Sequence, residues 1–298
     1  MTENTEFNYQ LPQETYERLA AFLGERYKDY QDPWGFDPKT FLKAVKILYP
    51  LYKGYFKVRV FGIEDLEMKP YIVVGNHSGQ LPIDAMLISM AFILETKNPI
   101  VLRAMIERFM AQLPFIGKVS AELGSILGDR KNCQYLLEHG ESILVFPEGV
   151  RGVSKNTKDY YKLQKFSTGF CRMAIKNKIE ILPVAVVGAE EMYPFVYQAK
   201  KLAKFLKLPS FPITPLFPLA GPLGLVPLPS PIDIYIGKPY QLPTELSYDA
   251  SENLIREHVY KIETKIKALL NQGLKNRRPF FDDIRKPVWD FFGKLNRK

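Results

Sequence analysis

From Phe56 onward the chain breaks into short apolar runs separated by turn residues: KVRVFG, YIVVG, PIVLR, SILVFP, ILPVAVVG and IDIYIG. Runs this short and this rich in valine and isoleucine read as strands. Helical patterns lie between several of them, at Pro82–Leu94, Lys131–Glu138 and Phe166–Lys176. This alternation predicts an α/β fold, a sheet with helices covering its faces. A chain of 298 residues holds one sizeable domain of this kind with terminal extensions. The expected division is a helical segment over 1–55, the α/β core over 56–240 and a helical extension over 241–298.

The extensions show helical periodicity. Tyr16, Leu19, Phe22 and Leu23 mark an amphipathic helix from Leu11 to about Tyr30, stopped by Asp32-Pro33-Trp34-Gly35. A second helix is expected from Pro38, capped by Asp37, to Tyr55. Its apolar face (Leu42, Val45, Leu48, Tyr49, Tyr52) and its lysines (Lys39, Lys43, Lys46, Lys53) suit either a membrane interface or packing on the domain. A third amphipathic helix is expected within YPFVYQAKKLAKFLKLP, with Phe195, Ala199, Leu202 and Leu206 on one face and Lys200, Lys204 and Lys207 on another. Residues 211–231 are rich in proline and apolar side chains, which predicts an extended greasy loop. Ile255, Val259, Ile262, Ile266 and Leu269 form one stripe of a long C-terminal helix. The tail beyond it mixes Arg285, Lys286, Lys294, Arg297 and Lys298 with Trp289, Phe291 and Phe292.

The formal net charge of +9 points to an anionic partner. No basic-aromatic nucleic-acid module is present, which leaves anionic lipid headgroups and phosphorylated small molecules. The two cysteines, Cys133 and Cys171, have no histidine cluster beside them, so the sequence implies neither a disulfide framework nor a metal site. No secretory pattern opens the sequence and no run of about eighteen apolar residues occurs. The expected setting is the cytoplasmic face of a membrane, with peripheral contact.

Two strand ends carry the chemistry. YIVVGNHSGQLPIDAM delivers His77 to a loop and places Asp84 in the first turn of the following helix, so the carboxylate can reach back to the imidazole. Such a pair fixes the tautomer, stabilises the imidazolium and leaves the other ring nitrogen to accept a proton from a hydroxyl. Backbone amides around Ser78–Gln80 are the expected oxyanion donors. SILVFPEGVRG delivers Glu148, Gly149 and Arg151 to a second loop, where a guanidinium can grip phosphate. GSILGDRKN supplies Asp129, Arg130 and Lys131 at a helix start. His139 and His258 lack such a context, and no G-x-S-x-G elbow occurs.

The order and form of these blocks, over roughly residues 70–190, resemble the glycerolipid acyltransferase family that includes lysophosphatidic acid acyltransferases. NHSGQLPID looks like the family's first block, which implies that His77 is the catalytic base and Asp84 its orienting partner. GSILGDR is similar to the second block, which implies an acceptor-phosphate role for Arg130. FPEGVRG resembles the third and implies acceptor binding by Glu148, Gly149 and Arg151. ILPVAVVG resembles the fourth, in which Pro183 shapes the acyl or acceptor site. The resemblance implies a glycerolipid-acyltransferase-like sheet and no tightly bound cofactor. It also implies transfer from acyl-CoA or acyl-carrier protein to a glycerolipid hydroxyl, that of lysophosphatidic acid foremost, in phospholipid biosynthesis. Two departures stand out. Six residues separate His77 from Asp84 where four are usual, so the loop must bulge for the pair to meet. Val150 and Gly152 stand where threonine and serine are usual. The longer spacing also looks like relatives acting on neutral mono- or diacylglycerol. A non-catalytic lipid-binding protein on the same fold is a third reading, though a binding module needs neither His77 nor Asp84.

Overall fold

The computed structural model describes residues 9–64, 66–78, 81–111, 116–193, 196–205, 211–214 and 217–278. Two helices come first, α1 (Gln13–Arg26) and α2 (Pro38–Pro50). Asp37 caps α2 by accepting hydrogen bonds from the amides of Lys39 and Thr40, and Pro38 follows at the first helical position. The predicted helix to Tyr55 changes character at Pro50. Proline has no N–H to donate to the carbonyl four residues back, and the chain continues through a π-helical turn, Leu51–Tyr55.

The remaining elements alternate as the apolar runs predict. They are β1 (Arg59–Phe61), β2 (Ile72–Gly75), α3 (Ile83–Leu94), β3 (Leu102–Ile106), α4 (Arg108–Ala111), α5 (Ile116–Glu122), β4 (Ile126–Leu127), α6 (Arg130–Glu138), β5 (Ser142–Val145), α7 (Val150–Val153), α8 (Gly169–Asn177), β6 (Ile181–Val187), β7 (Tyr197–Gln198), α9 (Lys200–Phe205), β8 (Pro212–Ile213), β9 (Asp233–Ile236) and α10 (Glu252–Lys275). Among the described residues the main sheet has seven strands in the order β1-β9-β6-β2-β5-β3-β4. All neighbours are parallel except β6 and β9. The fold is α/β, with helices on both sheet faces.

Both faces are buried along the inner strands β2, β6 and β9, which is why these read as continuous apolar runs, while β1 at the edge stays largely exposed. Val73, Leu144, Leu182 and Val184 share one core with Leu19 and Leu23 of α1, Phe41 and Val45 of α2, and the apolar side of α3. Ile72, Ile143, Ile181 and Ala185 share the other with α6, α8 and the Ile255–Val259–Ile262–Ile266 stripe of α10. The helices at both ends of the chain are therefore layers of the same structure. The apolar face of α2 closes a core at Phe41, Leu42 and Val45, and its outward side chains include Lys39, Lys43, Lys46 and Ile47.

One helix expectation is corrected. Among the described residues of the segment from Tyr193, the helical part is Lys200–Phe205. Tyr197 and Gln198 instead pair with Ile213 and Pro212 as strands. Ala203 is the inward side chain of α9, while Leu202 and Phe205 are exposed. Phe195, Leu206 and Lys207 lie outside the described residues, as does the basic-aromatic tail.

Residues 32–36 are held by a buried ion pair. Arg103 on β3 is fully buried and reaches Asp32 at 2.6 Å and the Gly124 carbonyl at 2.8 Å, with its guanidinium 4.9 Å from the Phe36 ring centroid. The other Asp32 oxygen accepts from the amides of Trp34 and Phe36. Gly124 sits at φ +88°, and a Cβ there would lie 3.2 Å from the Arg103 Nε. Removing one member of a buried pair leaves an uncompensated charge, so Asp32→Ala is expected to destabilise the protein by about 3–5 kcal/mol. The double variant Asp32→Leu/Arg103→Met should recover part of that loss. Urea unfolding midpoints of the two variants and the parent check both statements.

Candidate functional site

β2 and β5 are parallel neighbours, with Ile72 opposite Ile143 and Val74 opposite Val145. Their C-terminal ends therefore lie side by side, the edge of an open α/β sheet where ligand crevices form. β2 delivers His77 there and β5 delivers Glu148. Asn76 fixes the first exit: its side chain donates to the Val186 carbonyl and accepts from the Val186 amide, pinning the end of β2 to β6.

His77 Nδ1 lies 2.7 Å from Asp84 Oδ2. The six-residue separation does not keep the pair apart. The same Asp84 oxygen accepts from the Ser78 amide at 2.8 Å, and the other accepts from the Ala85 amide. Asp84 is fully buried in the first turn of α3, where the positive end of the helix favours a carboxylate. The imidazole stacks on the Phe146 ring with centroids 4.2 Å apart and planes at 12°. The ring is thus held at one edge by a carboxylate and along one face by an aromatic, and its side chain keeps 16% exposure. With Nδ1 carrying the proton toward Asp84, Nε2 is a proton acceptor.

Glu148 joins the two motif loops. One of its oxygens accepts from the His77 amide at 2.9 Å and the other from the Gln164 amide at 2.7 Å. Lys155, also buried, lies 3.4 Å from Glu148 Oε2 and 3.0 Å from Glu190 Oε1, and donates to the His77 carbonyl. Burial pushes the Glu190 carboxyl above its ordinary range, opposed by the Lys155 ammonium. Glu148, expected to bind the acceptor, thus holds a backbone amide with each oxygen, and it also lines a cleft at this edge of the sheet.

Glycines let these loops meet. Gly149 adopts φ +58° with ψ −150°, a combination open essentially to glycine. A Cβ at Gly152 would lie 2.7 Å from the His77 Cβ and 3.0 Å from that of Glu148. A serine there would collide with the His77 loop, so the departure at this position has a steric cause.

Two cavities meet at this edge of the sheet. The first, of about 420 Å³, is lined by His77 together with mainly apolar side chains of α2, α3, β3 and α5. The second, of about 630 Å³, is lined by Arg108, Arg130 and Arg151 with Glu107, Asp129 and the Glu148–Gly149 turn. Met105, Ile106, Glu107, Phe146, Gly149 and Val150 border both. Arg130 is exposed at the start of α6. Arg151 spends one donor on the Lys165 carbonyl at 2.8 Å and another on that of Glu148.

Pro183, expected to shape the acyl or acceptor site, stands apart from both cavities. It sits within β6 opposite Val74, its ring and carbonyl face Gly237, and it lines neither cavity. The strand alternation turns it toward the α10 side with Ile181 and Ala185. The Ser78 amide, expected as an oxyanion donor, is taken by Asp84. Residues 79 and 80 lie outside the described residues. Both cysteines are buried, and burial pushes the Cys133 thiol up to about 11 and that of Cys171 to about 12, which opposes a thiolate nucleophile.

Phe146, Lys155, Glu190 and Glu107 escaped the sequence reading. Phe146 had a signal, since it opens the FPEG block two residues before Glu148. A lysine in a polar loop and a glutamate at a strand end look like solvated residues until the fold buries or encloses them.

A family model described as Acyltransferase matches residues 57–187. An uncharacterised protein of Mycobacterium tuberculosis is 38% identical over 269 residues, 88% of this chain and 75% of its own. The chloroplastic 1-acyl-sn-glycerol-3-phosphate acyltransferase LPAT1 of Arabidopsis thaliana is 27% identical over 150 residues, 49% of this chain and 39% of its own. The fold is similar to the crystal structure of the 1-acyl-sn-glycerophosphate acyltransferase PlsC from Thermotoga maritima, with a TM-score of 0.52 and 18% identity over 89% of this chain and 95% of that one. By the matched domain, the relatives and the shared fold, this chain belongs to the glycerolipid acyltransferase family.

Proposed function

We propose that this acyltransferase moves a fatty acyl group from acyl-CoA or acyl-carrier protein to the free hydroxyl of lysophosphatidic acid, in phospholipid biosynthesis. The observation that carries the reading is the His77–Asp84 contact of 2.7 Å at the wall of an apolar cavity that adjoins an arginine-lined cleft. The apolar cavity suits an acyl chain and the cleft suits a phosphate headgroup. His77 Nε2 takes the proton of the acceptor hydroxyl as its oxygen attacks the thioester carbonyl. The tetrahedral intermediate collapses with loss of the thiolate, which leaves as the free thiol after taking the proton back from the imidazolium. Asp84 stabilises that imidazolium and holds the ring in the reactive tautomer. The chain's own residues suffice for these steps, with no bound cofactor. The working site is an anionic membrane surface facing the cytoplasm.

One observation favours a neutral acceptor, mono- or diacylglycerol. Arg151 is partly consumed by backbone carbonyls, and the carboxylate of Glu107 stands on the wall shared by the two cavities. A panel of glycerol 3-phosphate, lysophosphatidic acid, monoacylglycerol and diacylglycerol, each with acyl-CoA and with acyl-carrier protein, separates the two readings.

His77→Ala is expected to lower kcat by about 10²–10⁴-fold while leaving the unfolding transition in place. Asp84→Asn should also cost on the order of 10²-fold or more, by releasing the ring and its tautomer. Turnover near that of the parent in either folded variant would remove the proposed base.

Arg130→Ala is expected to raise the acceptor KM at least about tenfold, the loss of a charge-assisted hydrogen bond of about 1.5–3 kcal/mol, and to spare the thioester KM. Arg151→Ala should also loosen the 148–165 loop, visible as a lower melting temperature. An acceptor KM unchanged in the Arg130 variant sinks the phosphate reading and leaves the neutral acceptor.

A further inference from the structure

Between β6 and β9 the chain makes an excursion whose described residues contribute no strand to the main sheet. Eight of the nineteen large apolar side chains that stand exposed among the described residues fall within residues 197–228. Leu219 is 91% exposed, Phe205 82% and Leu223 74%. Singly exposed apolar residues need no explanation, but a concentration of this kind does.

The charge of the same stretch is one-sided. Residues 192–232 contain no aspartate or glutamate in a chain that has 32 acidic residues, and their charged residues are Lys200, Lys201, Lys204 and Lys207. Lys201 and Lys204 are exposed on α9 beside Leu202 and Phe205. Seven prolines stand in 211–231, and each removes a backbone N–H that would otherwise need a partner away from water.

The base of the excursion is tied down and its apolar tips are not buried. Val196 donates its amide to Thr157 Oγ1 at 2.7 Å and accepts from the Thr157 amide. The Gln198 amide donates to Asn156 Oδ1, the Leu228 amide to the Met192 carbonyl, and the Tyr55 hydroxyl to the Pro227 carbonyl. Asn156 and Thr157 directly follow Lys155, the buried lysine that bridges Glu148, Glu190 and the His77 carbonyl.

We propose that the surface formed by α9 and residues 217–228 seats this protein on an anionic lipid bilayer, with Leu219, Leu223 and Phe205 entering the acyl boundary and Lys201 and Lys204 held at the headgroups. The proposal deepens the reading of an enzyme working at a membrane surface and rests on it for the origin of the acceptor. A bilayer fits better than a protein partner. The exposed side chains stand on turns, a six-residue helix and two-residue strands rather than on one regular face, and a protein interface demands shape complementarity that a fluid interface does not. The absence of carboxylates and the lysines beside the apolar tips match anionic headgroups above acyl chains.

Flotation of the whole protein with phosphatidylcholine vesicles, with and without phosphatidylglycerol, tests this. The parent should float with the anionic vesicles and less so in high salt. Leu219→Asp/Leu223→Asp should reduce flotation about tenfold or more, since it places charges where apolar side chains enter. Lys201→Glu/Lys204→Glu should remove the preference for phosphatidylglycerol. Ile47→Asp, which alters an exposed apolar residue of α2, should float as the parent does. Circular dichroism and turnover on a short-chain acyl-CoA with acceptor below its micellar concentration report that each variant is folded and competent. A parent that ignores vesicles of either composition, as expected of a protein-docking surface, overturns the proposal. So does a Leu219→Asp/Leu223→Asp variant that floats normally, or loss of binding in Ile47→Asp alone. Absence of turnover in every sample, with the flotation pattern intact, refutes the acyltransfer reading and leaves the bilayer contact standing.

Discussion

The site depends on the Glu148 carboxylate. It is buried and accepts hydrogen bonds from two backbone amides on different loops, that of His77 after β2 and that of Gln164. A carboxylate in that position is tolerable only with compensation, and Lys155 supplies it to Glu148 and Glu190 together. One lysine thus stabilises two carboxylates and caps the His77 carbonyl. Burial away from water is the main reason the Glu190 carboxyl is pushed up, with the Glu148 charge adding to it and the Lys155 ammonium opposing it. The rigidity of His77 follows from this arrangement as much as from Asp84. Its amide, carbonyl, Nδ1 and ring face are each held by a different residue, and Nε2 is the edge left for chemistry.

The sheet makes that convergence possible. Parallel β2 and β5 end at the same level, so loops 71 residues apart in sequence meet without either having to be long. The apolar cavity forms because α2 lies over α3 and β3 and contributes Phe41, Val45 and Leu48 to its wall. An N-terminal helix that reads equally well as a membrane anchor is therefore part of the acyl-sized cavity. Arg103 and Asp32 hold the turn that leads into it, which links a buried ion pair on β3 to the shape of the pocket.

Much of this was legible in the residues. The apolar runs of β2, β5 and β6 became strands because a sheet buried on both faces demands valine and isoleucine at successive positions, and that demand is visible without tertiary information. The Asp37 cap, the stripe of α10 and the approach of Asp84 to His77 are local consequences of helix geometry and read equally directly. What could not be read depended on who faces whom. Glu148 and Arg151 border the cleft, but that one straps two loops together and the other gives two donors to backbone carbonyls is invisible in a list of motifs. Pro183 carries a family motif but sits on the opposite face of its strand from the cavities. The two-residue strands β4, β7 and β8 are too short for any periodicity to mark them.

The departure from the family pattern at Gly152 has a geometric reason. Gly152 packs directly on the Cβ atoms of His77 and Glu148, so α7 approaches the His77 loop more closely than a side chain at that position would permit. Close approach brings the residues after α7 against the same loop, and Lys155 reaches the His77 carbonyl from there. The next two residues then hold the excursion through Val196 and Gln198. A glycine where serine is usual is thus the first member of a chain of contacts running from the imidazole to the most exposed apolar surface of the molecule. Displacing α7 with any larger side chain at 152 would act on His77 and on the stem of the excursion at once, because no slack separates them.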